Sequence, residues 1–477
     1  MSGQPNFVFI MTDQQQARTV NSDVCHTPNL DRLSAEGVRF NRAYTVNAIC
    51  SPTRASLFTG LHVHGHGMYD CTHASDECRA QYRSDLPTWS QALAAAGYHN
   101  AYFGKWHVER SEDLSQFGWR HYDACGDLGA WRGDQNQQPK GPRLLSKSLG
   151  GNGYAERELY AVVDEPASVQ RPAMTYGRAL EYFDANFASG DEPWCVFIST
   201  PEPHDPYVCP REFYELYDPN EIELPVSFDD DLSGKPNVLK RMQQVFGEMT
   251  EEEFRQATAC YLGVCTMLDH RVGEMLEAVR ASGQWDNTVI VYTTDHGDMM
   301  GAHRLLTKGI TAYEEVYNIP MIVRDPRATG NGQDSDRVVS IGDLAPTVVE
   351  LAGCDPYEET HFRSLVPLLA DPAASDWIDE AYAEFHGQRF AFTQRILWRD
   401  HLKYILNAFD YDEMYDLEAD PHELRNVVDD PAYATQKDEM LCGVWRQIHD
   451  TGDDTLAKSH YWSLRFFDLG PDSVEHE

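Results

Sequence analysis

Short apolar runs, each closed by a polar residue, punctuate the first three quarters of the chain. Residues 6–12 (NFVFIMT) form one such run and end in Asp13, and TVIVYTTDHGD at 288–298 repeats the pattern, a β-branched stretch closed by Asp295 and His296. Runs of this length without alternation predict strands buried on both faces, as in parallel sheets. Residues 99–103, 193–199 and 320–324 read the same way, and helical patterns such as 27–37 and 86–97 lie between them, with an apolar pattern at 342–353 beyond the last. Thr250 and Glu253 form a capping-box pair, followed by Phe254, Tyr261, Cys265, Leu268, Val272 and Val279 at helical spacing, which predicts a long helix packed on a sheet. Alternating strands and helices imply an α/β fold, a large mixed, mainly parallel sheet flanked by helices.

After the loop-like ADPAASD at 370–376 the texture changes to short strands and turns (FAFTQRILW, HLKYILN, DEMYDLEADP) and then a helical stretch. We therefore expect a large α/β domain over 1–375 and a smaller C-terminal α+β subdomain over 376–477, with a small antiparallel sheet and a helix. A polar insertion at 132–153 reads as a surface or rim loop.

Composition narrows the partners. The 477 residues carry 39 Lys plus Arg against 76 Asp plus Glu, a formal charge of −37. Such a surface opposes nucleic acid and anionic membranes, and it disfavours a polyanionic ligand relative to a small one. The N-terminus has neither a basic leader pattern nor an apolar stretch long enough to span a bilayer, so the reading is cytoplasmic, with no membrane association. Eleven cysteines scattered over the chain suit reduced core thiols better than a disulfide framework. Oligomeric state is not legible.

Candidate chemistry sits at the ends of the apolar runs. Asp13 with Gln14, and Asp295 with His296, present metal-type ligands just beyond the carboxyl ends of two strands, where open α/β sheets build their sites. Lys105 and His107 of GKWH are two residues apart after a third strand, and His204 of TPEPHDPY is fixed among prolines after a fourth. CSPTRASLFTG at 50–60 places Cys50 at the start of a helix with Arg54 one turn on. The residues alone allow an activated thiolate beside an anion site or a buried thiol near a turn. His62, His64 and His66 alternate and, on a strand, could face one way as a transition-metal cluster with Cys71 and Cys78 nearby, although pocket-rim or packing roles are favoured. Trp106, Trp131, Tyr207 and Trp462 are candidates to line a pocket, with core packing the commoner use.

The Cys-x-Pro-x-Arg core at Cys50, Pro52 and Arg54 resembles the signature of the type I (formylglycine-dependent) sulfatases of the alkaline phosphatase superfamily. GKWH resembles that family's Lys-x-His element, His204 its leaving-group histidine, and DHGDMMGAHRLLTKG at 295–309 its last metal- and sulfate-binding element, ending in Lys308. The resemblance implies a sulfatase that hydrolyses an aryl, alkyl or small sugar or choline sulfate. Its cofactors would be a formylglycine made from Cys50 by a maturing enzyme and one divalent metal, Ca²⁺ first, with Mn²⁺ or Mg²⁺ as alternatives. Metal ligands would be Asp13, Gln14, residue 50, Asp295 and His296, and the family often has a second acidic residue where Gln14 stands. Arg54, Lys105 and Lys308 would hold the sulfuryl oxygens, Asp295 would activate the nucleophile, His204 would protonate the leaving alcohol and His107 would take a proton from residue 50. A phosphonate monoester hydrolase or phosphodiesterase of the same superfamily is the alternative, and a non-catalytic anion-binding protein a more distant one.

Overall fold

A computed structural model describes residues 3–474 except 75–76, 112, 126–140, 152, 191, 389–390 and 458–468. Trp131, Trp462 and residues 132–140 of the polar insertion lie outside the described residues.

The main sheet has eight strands: β1 (Asn6–Asp13), β2 (Val38–Tyr44), β3 (His99–Lys105), β4 (His121–Cys125), β7 (Trp194–Pro203), β9 (Thr288–Thr294), β10 (Met321–Arg324) and β11 (Gln333–Ser340). Their order is β11-β2-β10-β9-β1-β7-β3-β4. Every neighbouring pair is parallel except the two made by β10, so the expected mixed, mainly parallel sheet is present. β1 lies at the centre, and the apolar run explains why: Phe7, Phe9 and Met11 face one core cluster while Val8 and Ile10 face another. Each such side chain removed from water contributes about 1.5–3 kcal/mol, so a strand with two apolar faces is stable only with helices on both.

Helices α1 (Pro28–Glu36), α2 (Cys50–Thr59), α3 (Val63–His66), α4 (Trp89–Ala95), α5 (Arg171–Asn186), α6 (Glu251–Ala281), α7 (Leu344–Leu351) and α8 (Ala434–Asp450) include those layers. α2, α4 and α7 pack on the face of Phe7 and Phe9, and α1, α5 and the second half of α6 on the other. The capping box that opens α6 forms as read: the Thr250 hydroxyl accepts from the Glu253 N–H, and all six apolar positions expected to be buried are buried.

The insertion is not a loop throughout. β5 (Arg143–Gly151) and β6 (Tyr154–Val163) form an antiparallel hairpin, and β6 pairs in parallel with β8 (Tyr207–Pro210). Leu145 and Leu149, four residues apart, pack against the large core cluster, and Lys147 bridges to Glu253 of α6 at 2.6 Å. The flanking polar residues hid this two-sided strand from a reading by composition.

A second sheet, β12 (Glu380–Phe385), β13 (Gln394–Arg399), β14 (Leu402–Asn407) and β15 (Glu413–Asp416), is antiparallel throughout. Strand alternation divides its side chains. Ala381, Ala383, Phe385, Ile396, Trp398 and Ile405 join the cluster that contains α6, whereas Tyr382, Leu397, Tyr404 and Leu406 pack against Met440, Leu441, Val444 and Trp445 of α8.

His62, His64 and His66 lie at a short helix and not on a strand. The ring nitrogens of His64 and His66 are taken up by protein contacts. His66 Nε2 lies 3.0 Å from Ser56 Oγ, and its Nδ1 accepts from the Met68 N–H. His64 Nδ1 meets Glu384 Oε1 at 2.5 Å and its Nε2 donates to the Thr451 carbonyl at 2.8 Å, tying β12 and the end of α8 to α3. Burial works against a charged His64, but Glu384 and the Thr451 carbonyl outweigh it and raise its pKa to about 9. Burial likewise works against an ionised Glu384, but His64, His386 and Arg395 hold it well below the usual carboxylate range.

The sign of the pH effect follows. Stability from a raised His64 is fully present below its unfolded value near 6.5 and is lost as pH rises through about 9. Stability from the depressed Glu384 is present above its unfolded value and lost as pH falls through its lowered one. The two shifts describe one pair and count once. Between pH 6.5 and 9.5 the wild type should lose about 2–3 kcal/mol from this source, an increment that His64→Gln lacks. Denaturant melts of both proteins across that window would show it, and parallel pH curves would rule it out.

No helix among the described residues is long and apolar enough to cross a membrane.

Candidate active site

The four adjacent strands β9, β1, β7 and β3 run parallel, so their carboxyl ends meet at one edge of the sheet. That edge collects Asp295 and His296 after β9, Asp13 and Gln14 at and after β1, His204 after β7, and Lys105 and His107 at and after β3. Two glycines allow the approach. A Cβ on Gly104, which has φ +93°, would overlap the Ser199 carbonyl oxygen of β7, and one on Gly297 would overlap the carbonyl oxygen of Glu315.

Cys50 is the first residue of α2, which is buried along its whole length and is delivered to this edge. Its Sγ lies 3.2 Å from His296 Nε2, 3.0 Å from Lys308 Nζ and 3.6 Å from Asp13 Oδ1. Both His107 and His204 also interact with the Cys50 sulfur. Burial disfavours a thiolate here, but Lys105, Lys308 and His296 outweigh it and hold the thiol well below its ordinary value.

Asp13, Cys50, Asp295 and His296 each bring one ligand atom within 4.8 Å of the others, and all four are buried. The His296 Nδ1 faces the Gly297 carbonyl at 2.9 Å, which makes it the donor and leaves Nε2 as the ligand nitrogen. Gln14, with φ +70°, is held by its own amide: Nε2 donates to Asp298 Oδ2 at 2.6 Å and to Asp205 Oδ1 at 3.1 Å. Its Oε1 is buried and accepts no hydrogen bond among the described residues. An orphaned buried carbonyl costs roughly 1–3 kcal/mol unless a cation or donor meets it. Together with Asp13, Asp295 and His296 it makes a donor set of mainly hard oxygens that fits a divalent metal.

The cations divide into two kinds. Lys105 Nζ pairs with Asp13 Oδ2, and Lys308 Nζ lies 2.8 Å from His296 Nε2, so both ammonium groups face the pocket around Cys50. Arg54 is bonded largely to the protein, and its Nη2 is buried with no hydrogen-bond partner among the described residues. Its Nε donates to Asp295 Oδ2 at 2.8 Å, and its Nη1 to the Lys105 carbonyl at 3.0 Å and Ser199 Oγ at 2.8 Å. It is 1 % exposed and pairs with Asp295, because a buried guanidinium takes the carboxylate and carbonyl that best neutralise it.

The two histidines have opposite protonation. Burial and Lys105 hold His107 down at about 3, so it is neutral. Burial and Lys308 also oppose a charged His204, but Asp205, Asp13 and the Cys50 sulfur raise it to about 9, so it is protonated. Groups pushed apart in this way have the chemistry for opposite proton transfers.

Sequence reasoning missed Asp298 and Asp205. Asp298 accepts from the Met300 and Thr307 N–H groups at 2.9 Å each and from the Tyr207 hydroxyl at 2.7 Å, so it shapes the loop carrying Lys308 as well as orienting Gln14. Its signal was available as the second acid of DHGD. Trp106 and Tyr207 are 1 % exposed and belong to the packing around the site, not to a pocket wall.

The chain is similar to known proteins. The family model described as Sulfatase matches residues 5–354, and that described as N-sulphoglucosamine sulphohydrolase, C-terminal, matches residues 301–449. The chain is 31% identical to the uncharacterized sulfatase YidJ of Escherichia coli (strain K12), over 97% of this chain and 90% of that protein. It is 29% identical to the choline-sulfatase of Rhizobium meliloti (strain 1021), over 90% of this chain and 83% of that one. A solved structure of the phosphonate monoester hydrolase SpPMH from Silicibacter pomeroyi shares the fold with a TM-score of 0.78 at 24% identity, covering 95% of this chain and 97% of the other.

Proposed function

Because the chain belongs to the sulfatase family and is a sulfuric ester hydrolase, we propose that it acts on small sulfate monoesters through a formylglycine formed at Cys50 by a maturing enzyme. The observation that carries this reading is the convergence on Cys50 Sγ of Asp13, His296 and Lys308 within 3.6 Å, at the position the signature requires. The family is metal-dependent. Asp13, Gln14, Asp295 and His296 would hold the ion, and the oxygen-rich set favours Ca²⁺, with Mn²⁺ or Mg²⁺ as alternatives.

When present, the metal would neutralise charge on the sulfuryl oxygens, and the hydrated aldehyde at residue 50 would supply a hydroxyl nucleophile. Lys105 and Lys308 bind the remaining oxygens and compensate the charge that grows on them. Burial and Asp13 push the Asp295 carboxyl up, and Arg54 opposes that rise and holds the carboxylate in place. Protonated His204 gives its proton to the departing oxygen, and neutral His107 accepts one from residue 50. Two buried ammonium groups beside one neutral histidine suit a sulfate monoester, and the strongly negative exterior favours a compact ester such as an aryl, alkyl, choline or monosaccharide sulfate over a polyanion. The likeness to the phosphonate hydrolase is one of fold. Relative kcat/KM on matched sulfate and phosphonate esters measures the preference, expected to favour sulfate.

His204→Ala should lower kcat/KM for an alkyl sulfate by about 10²–10⁴-fold, and for a nitrophenyl sulfate much less, because that leaving group needs no proton. Equal losses on both substrates would remove His204 from the acid role.

The mass of the tryptic peptide 43–54 (AYTVNAICSPTR) tests maturation. Replacement of the thiol carbon's sulfur by an aldehyde oxygen, with loss of two hydrogens, is the expected result. An unmodified cysteine in protein from a host that has the maturing enzyme, together with undiminished sulfate release, would overturn the formylglycine reading.

A further inference from the structure

Cys71 and His73 have no part in the chemistry above, yet they meet at its edge. Cys71 Sγ, a ring nitrogen of His73 and a ring nitrogen of His107 lie within 4.8 Å of one another. His107 Nε2 and His73 Nδ1 are 3.5 Å apart, and the two rings are parallel to within 6° with centroids 5.6 Å apart. Two nitrogens on a tetrahedral zinc, with Zn–N of about 2.0–2.1 Å, stand roughly 3.3–3.4 Å from each other. The pair is therefore already close to the spacing that a shared ion imposes, and near the long limit for a hydrogen bond between two imidazoles. Cys71 is buried and His73 is exposed, so the cluster reaches from the interior to the surface, where an ion can enter.

The chemistry of this group differs from that of the neighbouring centre. Asp13, Gln14, Asp295 and His296 offer mostly hard oxygens, whereas Cys71, His73 and His107 offer one sulfur and two imidazole nitrogens, the donors that zinc and similar borderline-soft ions prefer. Three protein ligands leave a fourth position for water. We propose that Cys71, His73 and His107 form a second metal site that takes a zinc-type divalent ion, and that this ion inhibits sulfate release by occupying the His107 ring nitrogen.

Binding replaces the proton of the Cys71 thiol, which leaves to solvent, by the metal. Burial and the Cys50 sulfur push that thiol up, so the ion must compete with a firmly held proton and should bind more tightly as pH rises. The inhibitory half rests on the role given to His107 under the proposed function, whereas the metal site itself does not.

Two measurements separate these halves. Co²⁺ titrated into Cys50→Ala protein, where residue 50 offers no sulfur, should produce a thiolate-to-cobalt charge-transfer absorption that saturates near one equivalent. The band should vanish in Cys50→Ala/Cys71→Ser and weaken in Cys50→Ala/His73→Ala. Its absence from the Cys50→Ala protein, or its survival without Cys71, overturns the site. In the matured enzyme with Ca²⁺ saturating, zinc should inhibit the wild type. Cys71→Ser should keep the uninhibited rate and need more zinc by a factor exceeding the roughly 10–100-fold that losing even an outer-shell partner costs. A cobalt band without zinc inhibition would overturn the inhibitory half and leave the site standing.

Discussion

Cys50→Ala should abolish sulfate release, lowering kcat/KM by a factor on the order of 10⁴–10⁶, the scale on which enzymes lose activity when the nucleophile is removed. The residue is expected to matter so much because every other group in the pocket is arranged around it: Lys308 Nζ, His296 Nε2 and Asp13 Oδ1 all lie within 3.6 Å of its sulfur. Cys50→Ser should fall nearly as far, since one hydroxyl cannot reproduce the two of a hydrated aldehyde. The fold should survive both changes. Cys50 lies at the start of α2, and the helix is anchored by the apolar contacts of Ala55, Leu57 and Phe58 and by the bonds of Arg54. Rates on a nitrophenyl sulfate, with a melting curve to show that the variant is folded, make the check. A folded Cys50→Ala protein that keeps more than about a tenth of the wild-type rate, a loss of under 1.4 kcal/mol of transition-state stabilisation, would sink the central role of this residue.

The largest effect on stability should come from Asp453→Ala. Arg395 of β13 is wholly buried, and its Nε and Nη2 both donate to Asp453 Oδ2, at 2.9 and 2.5 Å, just beyond the end of α8. Removing the carboxylate leaves a guanidinium in a dry interior. Loss of one partner of a buried pair costs about 3–5 kcal/mol, and the nearby Glu384, which also attracts Arg395, places the expected value toward the lower end. Asp453→Ala/Arg395→Met should recover most of the loss, because removing both charges leaves none unpaired. Denaturant unfolding of the two single variants and the double variant tests this. A cost below about 1 kcal/mol for Asp453→Ala, well short of the buried-pair range, would show that the pair does not anchor α8 to the second sheet.

Much of the architecture could be read from periods of ten residues or fewer. β1 and β9 were legible because an unbroken apolar run has few places to go except the middle of a sheet. The start of α6 was legible because Thr250 and Glu253 satisfy each other's backbone N–H groups locally. The candidate site residues were legible as types, each standing just past a strand end. Their arrangement was not. Asp13 and Asp295 belong to neighbouring strands 282 positions apart in sequence, and no local pattern states that β9, β1, β7 and β3 lie side by side.

Charge partners were the other thing hidden. No local pattern shows that the Arg54 guanidinium bonds Asp295, nor that Asp298 and Asp205 hold the NH₂ of Gln14 and so leave its carbonyl oxygen for a cation. The alternating histidines 62, 64 and 66 do not converge on one point, because His64 turns to Glu384 and the Thr451 carbonyl and His66 to Ser56. Strand and helix are chosen by steric and apolar preferences that act between near neighbours, so the sequence alone decides them. Which carboxylate, carbonyl or cation answers a buried polar group is decided when water is removed, by whatever the packed chain brings within about 3 Å.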